Sequence, residues 1–177
     1  MKRWMAVLTL GLLPAAAPAQ HQHQPGQHQP YAGQQTRPVK ALSDEQIADL
    51  KAGRGMGLAL AAELNGYPGP LHVLELAAPL GLSEAQRARM AELFSAMKAE
   101  AMVLGEKLIE AETDLDRQFA SRAVTEASLV EGVRSIAAAQ GELRAAHLKY
   151  HLASVEVLTS QQVARYAELR GYAAAPR

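Results

Sequence analysis

Two histidines near the end of the chain have the spacing of a metal-binding pair. His147 and His151 lie four residues apart in the stretch AAHLKYHLASVEV, and residues at this spacing project from the same side of a helix. Such a pair can supply two imidazole ligands to one Zn, Ni, Co or Cu ion. Because two ligands do not complete a tetrahedral site, we expect further ligands from the preceding segment, where the candidates are His72, Glu75 and Glu63. The alternative is a partly buried His147 that hydrogen-bonds to a neighbouring helix, with His151 exposed to solvent.

A second group of histidines lies close to the N-terminus. His21, His23 and His28 belong to the stretch QHQHQPGQHQPYAGQQTRPVK, residues 20–40. This stretch is rich in Gln, His and Pro and has no apolar periodicity, so it is predicted to be disordered. A flexible tail can bring several imidazoles to one ion. Composition alone leaves two interpretations open, a metal-capturing tail or a Gln-rich leader whose histidines bind nothing specific.

The methionines are a third candidate set. Met56, Met90, Met97 and Met102 could supply thioether ligands to copper. Met90 and Met97 also fall on the apolar stripe of a long predicted helix. Packing in the core is therefore the better explanation for them.

The rest of the composition argues against other classes of function. The chain has no Cys, and it contains neither a Gly-rich phosphate loop nor a Gly-x-Ser-x-Gly elbow. No arrangement of residues predicts catalysis, so we expect that the protein is not an enzyme. Its 18 basic and 18 acidic side chains balance, which gives no reason to expect nucleic acid or an anionic membrane surface as a partner.

A short phrase that occurs three times marks where helices begin. It reads LSDEQ at 42–46, LSEAQ at 82–86 and LTSQQ at 158–162. A Ser or Thr followed three residues later by Gln can form a capping box, in which each side chain bonds the backbone N–H of the other residue. Ser43, Ser83 and Thr159 are therefore predicted to be helix N-caps.

Two long helices follow the second copy of the phrase. The first is predicted from Ser83 to about Phe119, roughly 55 Å long, with apolar residues at heptad spacing: Met90, Phe94, Met97, Ala101, Leu104, Leu108, Ala111 and Leu115. The second begins at Thr125 and ends near Val157. Its predicted stripe is Leu129, Val133, Ile136, Gln140, Leu143, His147, Tyr150, Ser154 and Val157. The fold class is thus all-α, a long antiparallel helical hairpin with short N-terminal and C-terminal helices.

Residues 41–80 are predicted to form short helices around a Pro/Gly turn. The first helix covers about residues 44–52 and the second about 56–64. The stretch NGYPGP at 65–70 must be a turn, and LHVLELA can add one or two helical turns. One hairpin and a few short helices cannot bury the apolar stripes of both long helices. A second subunit is therefore expected to shield them.

The N-terminus has the pattern of a secretory signal peptide. Lys2 and Arg3 precede an apolar run of about 10 residues, and small residues follow with an A-x-A cleavage pattern that ends at Ala19. The run is too short to span a bilayer. Cleavage after residue 19 predicts a protein exported to the periplasm. The mature chain would then consist of the tail (20–40), the short-helix segment (41–80), the hairpin domain (81–172) and a disordered end (173–177).

Residues of about 80–172 resemble the Spy/CpxP family of periplasmic proteins, which carries the LTxxQ motif. The resemblance rests on the phrases at 82–86 and 158–162, on the long hairpin between them and on the signal peptide. The family includes stress chaperones and heavy-metal sensor and resistance proteins of the ZraP and CnrX type. The resemblance implies an interlocked homodimer, with His147 and His151 placed where metal-sensing members carry their ligands.

Two functions from different classes follow from the resemblance. The first is a periplasmic metal-binding stress protein that holds Zn, Ni, Co or Cu through histidines and sequesters the ion or signals to a membrane partner. The second is an ATP-independent holdase that binds unfolded periplasmic clients and has no specific metal site. A purely structural helical protein is the third possibility.

Overall fold

A computed structural model describes residues 31–172, which are helical and contain no strand. The helices are α1 (Asp44–Lys51), α2 (Leu60–Glu63), α3 (Pro70–Glu75), α4 (Glu84–Ala120), α5 (Glu126–Val157) and α6 (Ser160–Leu169). The helices α4 and α5 pack against each other as a hairpin, so the predicted fold class is confirmed. The predicted signal peptide, the tail histidines His21, His23 and His28, and residues 173–177 lie outside the described residues.

All three copies of the repeated phrase form the predicted capping boxes. In α4 the Ser83 hydroxyl accepts from the Gln86 N–H at 3.2 Å, and the Gln86 side chain accepts from the Ser83 N–H at 3.1 Å. The same reciprocal bonds start α1 at Ser43 and α6 at Thr159. Each helix therefore begins where its sequence satisfies two otherwise unpaired backbone donors.

The second and third copies of the phrase also bond to each other. The Gln86 side-chain amide donates to the Gln162 side-chain oxygen at 2.9 Å, and the Gln162 amide donates back at 3.1 Å. Their remaining amide hydrogens go to the carbonyls of Val157 at 2.9 Å and Leu80 at 3.3 Å. The two glutamines thus join the first turns of α4 and α6, which the capping argument did not predict.

The buried residues form two clusters along the hairpin. One lies where α1 packs against the middle of the hairpin, and includes Leu50, Leu104 and Leu143. Its close packing needs Gly105, because a Cβ there would lie 2.5 Å from the Leu50 carbonyl oxygen. The other cluster joins α3 and α6 to the base of the hairpin around Met90. The predicted stripe of α4 is buried from residue 90 to residue 108, except for the half-buried Phe94.

The predicted stripe of α5 is shifted over part of its length. Val133 and Gln140 are exposed, whereas Ala139 and Ala146 are buried and face α4. The prediction favoured large apolar residues at heptad positions. Small alanines on the adjacent side let the two helices approach closely, and close approach decides which side is buried.

The segment between α1 and α3 differs from the predicted helix 56–64. Only Leu60–Glu63 is α-helical. Met56 and Gly57 have φ values of 43° and 76°, and an α-helix cannot continue through the left-handed region. The predicted helix is therefore wrong at its start, and residues 52–59 form a glycine-rich loop against the hairpin.

Part of the segment predicted to be disordered has structure. A short 3-10 helix covers Gln34–Thr36, Val39 is buried in the cluster beneath α1, and Lys40 pairs with Asp116 at 3.2 Å. The composition of residues 20–40 could not predict these contacts, because a single apolar residue such as Val39 gives no periodic pattern. The chain thus joins the hairpin a few residues before the first capping box.

The loop end of the hairpin is little covered by the rest of the chain that the structure describes, although Lys40 reaches Asp116 there. Every residue from 109 to 138 is described, and none of them is buried. Phe119, Val130 and Val133 are about half exposed there. A second subunit over this surface stays a prediction. No helix within residues 31–172 combines the length and apolar character needed to cross a bilayer.

Candidate functional site

A cavity of about 540 Å³ lies between the loop 52–59, the short helices α2 and α3, and the hairpin. Four candidate ligand residues from the sequence line it, namely Glu63, His72, His147 and His151. Apolar walls include Met56, Leu60, Phe94 and Met97. A mostly apolar cavity with a few convergent polar groups is the usual form of a binding site.

His147 is buried on the wall of this cavity with one ring nitrogen unpaired. The residue is only 2 % exposed, and its Nε2 has no hydrogen-bond partner among the described residues. Burial, with a smaller contribution from His151, lowers the pKa of His147, so the neutral imidazole is favoured. A neutral imidazole is the form that binds a metal.

His151 is also buried, at 7 % exposure, which overturns the alternative that it is exposed. Its Nδ1 lies 2.7 Å from the Tyr67 carbonyl oxygen. A carbonyl oxygen only accepts, so Nδ1 carries a proton, and in the neutral tautomer the lone pair is on Nε2. That nitrogen lies beside Gly69, where a Cβ would approach it to 2.9 Å. Metal-binding histidines commonly donate their other ring N–H to a carbonyl or carboxylate in this way.

Glu63 connects the cavity to the C-terminal helix. Its carboxylate, 8 % exposed, accepts hydrogen bonds from the Tyr166 hydroxyl and, at 3.1 Å, from the Gly69 N–H. The same carboxylate lies 3.6 Å from Nδ1 of His151 and 3.9 Å from Nε of Arg170. Burial and the bond to Glu63 raise the pKa of Tyr166, so its hydroxyl stays a donor. Glu63 therefore links Gly69, which lies beside His151, to Tyr166 of α6.

The other predicted ligands are placed differently. His72 lines the cavity, but its Nδ1 pairs with Glu75 Oε2 at 2.9 Å on the exposed side of α3, and Glu75 itself does not line the cavity. Within residues 31–172 no group of three or more His, Cys, Asp or Glu side chains could hold a metal ion. The core thus offers two neighbouring imidazoles, and His21, His23 and His28 lie outside the described residues.

Comparisons with known proteins add no relative. No family model, curated protein or solved structure matches the chain. Functional inference therefore rests on the cavity, on its buried histidines and on the sequence motifs.

Sequence reasoning named Glu63 as a ligand candidate but missed the residues that hold it. Tyr166 lies 103 positions away along the chain, and nothing in the local pattern of α6 points to α2. The carbonyl of Tyr67 was missed because the turn NGYPGP shows only that the chain bends. Gly69 had a detectable signal, since a glycine just before a helix-starting proline often allows close approach of another group.

Proposed function

We propose that this chain is a periplasmic metal-binding stress protein of the Spy/CpxP family, of the heavy-metal sensor or resistance type and without enzymatic activity. Its site would be the two neighbouring imidazoles of His147 and His151. The observation that carries the proposal is that Nε2 of the buried His147 has no hydrogen-bond partner within residues 31–172. A buried polar atom without a partner costs about 1–3 kcal/mol, and a bound ion would remove that cost.

The arrangement around His151 supports the same proposal. The Tyr67 carbonyl fixes its tautomer, and Glu63 lies close behind, so its Nε2 is available as a ligand. Zn, Ni, Co and Cu all accept imidazole nitrogen. Further ligands for these ions would come from water, from His72 at the cavity wall, or from the tail histidines.

Titration of the purified protein with Zn²⁺, Ni²⁺, Co²⁺ and Cu²⁺ by isothermal calorimetry tests the proposal. We expect saturable binding that the double variant His147→Ala/His151→Ala abolishes. The variant His72→Ala tests whether the imidazole at the cavity wall is a further ligand. The control is Gln140→Ala, which changes an exposed residue of α5 outside the cavity lining and should leave the affinity unchanged. A triple change of His21, His23 and His28 to Ala tests the tail. Binding lost only in that triple variant would assign the metal to the tail, and no binding at micromolar metal would refute the proposal.

One observation favours the second function, an ATP-independent holdase. Phe119, Val130 and Val133 expose apolar surface on the uncovered loop end of the hairpin, where unfolded clients or a second copy of the chain could bind. Analytical ultracentrifugation distinguishes a dimer from a monomer. Suppressed aggregation of a chemically denatured client, reduced in Phe119→Ser/Val133→Ser, is the result expected of a holdase.

A further inference from the structure

The cavity contains two sulfur donors in addition to its imidazoles. Met56 lies in the loop 52–59 and Met97 on α4, and both line the cavity with His147. Met90 does not line it, since it is fully buried in the cluster around α3 and α6. Met102, which is as exposed as Met56, also lies outside the lining. Core packing therefore explains Met90, but it does not explain why Met56 and Met97 line the same cavity as His147.

The backbone around Met56 is unusual. Its φ of 43° is in the left-handed region, which is uncommon for a residue other than glycine and concentrates at functional sites. The neighbouring Gly55 lies against the His147 ring, since a Cβ on Gly55 would be 4.0 Å from Nδ1 and Cε1. The loop thus lies against the buried imidazole at Gly55, and the next residue, Met56, lines the same cavity.

The available donors favour a soft ion that needs few ligands. Structural Zn²⁺ takes four ligands, usually Cys, His or carboxylate, and residues 31–172 hold no group of three such side chains. Thioethers bind copper(I) well, whereas Zn²⁺, Ni²⁺ and Co²⁺ bind His and harder donors. Methionine has a flexible side chain, so its sulfur can reach an ion in the cavity without backbone movement.

We propose that the cavity binds a cuprous ion through Nε2 of His147 and the thioethers of Met56 and Met97. His151 stands one helical turn away as a further imidazole ligand. The inference rests on the proposed metal-binding function and narrows it to soft monovalent ions, copper(I) or its redox-inert analogue silver(I). No change of oxidation state at the protein is involved.

Competition with a chromophoric copper(I) chelator under argon measures the affinity of the full chain. The double variant Met56→Leu/Met97→Leu should weaken copper(I) binding by about tenfold or more, because Leu keeps the volume and removes both sulfurs. The matched control is Met102→Leu, which changes an exposed methionine outside the cavity and should leave the affinity unchanged. Circular dichroism of each variant checks that the helices are intact.

X-ray absorption at the copper edge gives a second readout, with sulfur scatterers expected in the wild type and absent in the double variant. If the double variant fails to fold, silver(I) titration of the wild type followed by NMR of the methionine methyl groups replaces it, with shifts expected at Met56 and Met97. Copper(I) affinity unchanged in a folded double variant would overturn the inference, and so would shifts confined to Met102. Binding of zinc or nickel but not copper(I) would overturn it while leaving the proposed function intact; failure to bind any metal would remove both.

Discussion

Replacing His147 by Leu should stabilise the metal-free protein and abolish the metal binding that we propose. The wild-type imidazole is buried at 2 % exposure, and its Nε2 has no hydrogen-bond partner in the part of the chain that the structure describes. Such an atom costs about 1–3 kcal/mol. Leucine has a similar volume, contains no polar atom and favours helix. Allowing for some loss of shape complementarity, we expect a gain of about 1 kcal/mol in the free energy of unfolding. For a domain of this size that corresponds to a rise of about 2–4 °C in Tm.

The assay is urea unfolding followed by circular dichroism, without and with saturating metal. An ion present at 100 times its Kd should stabilise the wild type by about 2.7 kcal/mol, and this gain should vanish in His147→Leu. The matched variant His151→Leu should instead lose about 1–3 kcal/mol, because it removes the hydrogen bond from Nδ1 to the Tyr67 carbonyl and leaves that oxygen unpaired. A His147→Leu protein that is less stable than the wild type by more than about 1 kcal/mol, or that still gains stability from metal, would refute the reasoning.

Three further predictions concern packing, pairing and pH. Gly105→Ala should lower the free energy of unfolding by about 1–3 kcal/mol, because its Cβ would lie 2.5 Å from a carbonyl oxygen of α1. Gly141→Ala, on open helix surface, should raise it by about 0.5–1 kcal/mol. Equal Tm values for the two variants would contradict this. Gln86→Glu should lower the free energy of unfolding by about 2 kcal/mol, because it removes the hydrogen bonds donated to Val157 and Gln162. Gln46→Glu keeps the acceptor of its own capping box and should change stability by less than about 0.5 kcal/mol. Chemical unfolding of both variants compares them directly. Because the pKa of His147 is lowered in the folded protein, the unfolded chain takes up this proton at higher pH than the folded chain. The free energy of unfolding should therefore fall as pH drops below about 6.5, and subtracting the pH profile of His147→Leu should isolate that fall. A difference that stays constant between pH 7 and the lowered pKa would count against this prediction.

The long helices could be predicted from the sequence because their signals are local. A Ser or Thr and a Gln three residues apart fix each helix start through bonds within one turn, and the observed N-caps Ser43, Ser83 and Thr159 agree. The stripe of α4 agrees with the burial at Met90, Met97, Ala101, Leu104 and Leu108, because these residues repeat at helical spacing, whereas Phe94, Ala111 and Leu115 are only half-buried. The stripe of α5 was partly wrong because the partner helix, and not the pattern alone, determined that Ala139 is buried.

The candidate site was predictable only in part. The spacing of His147 and His151 correctly placed two imidazoles on one side of a helix, and both line the cavity. Their burial and the role of the Tyr67 carbonyl depend on how the loop and short helices fold back over α5. Those contacts join residues more than 80 positions apart, which no local pattern encodes.

Because no residue from 109 to 138 is buried, stability should be distributed unevenly along α4 and α5. Backbone amides beneath the short helices can exchange their hydrogens only when the core opens, whereas those between residues 109 and 138 can exchange through local fraying at far lower free energy. The two long helices would then separate first at their connecting turn, while the histidine cavity at the other end stays closed. A partner that binds this end would meet the part of the protein that reshapes most readily, at a distance from the histidine cavity.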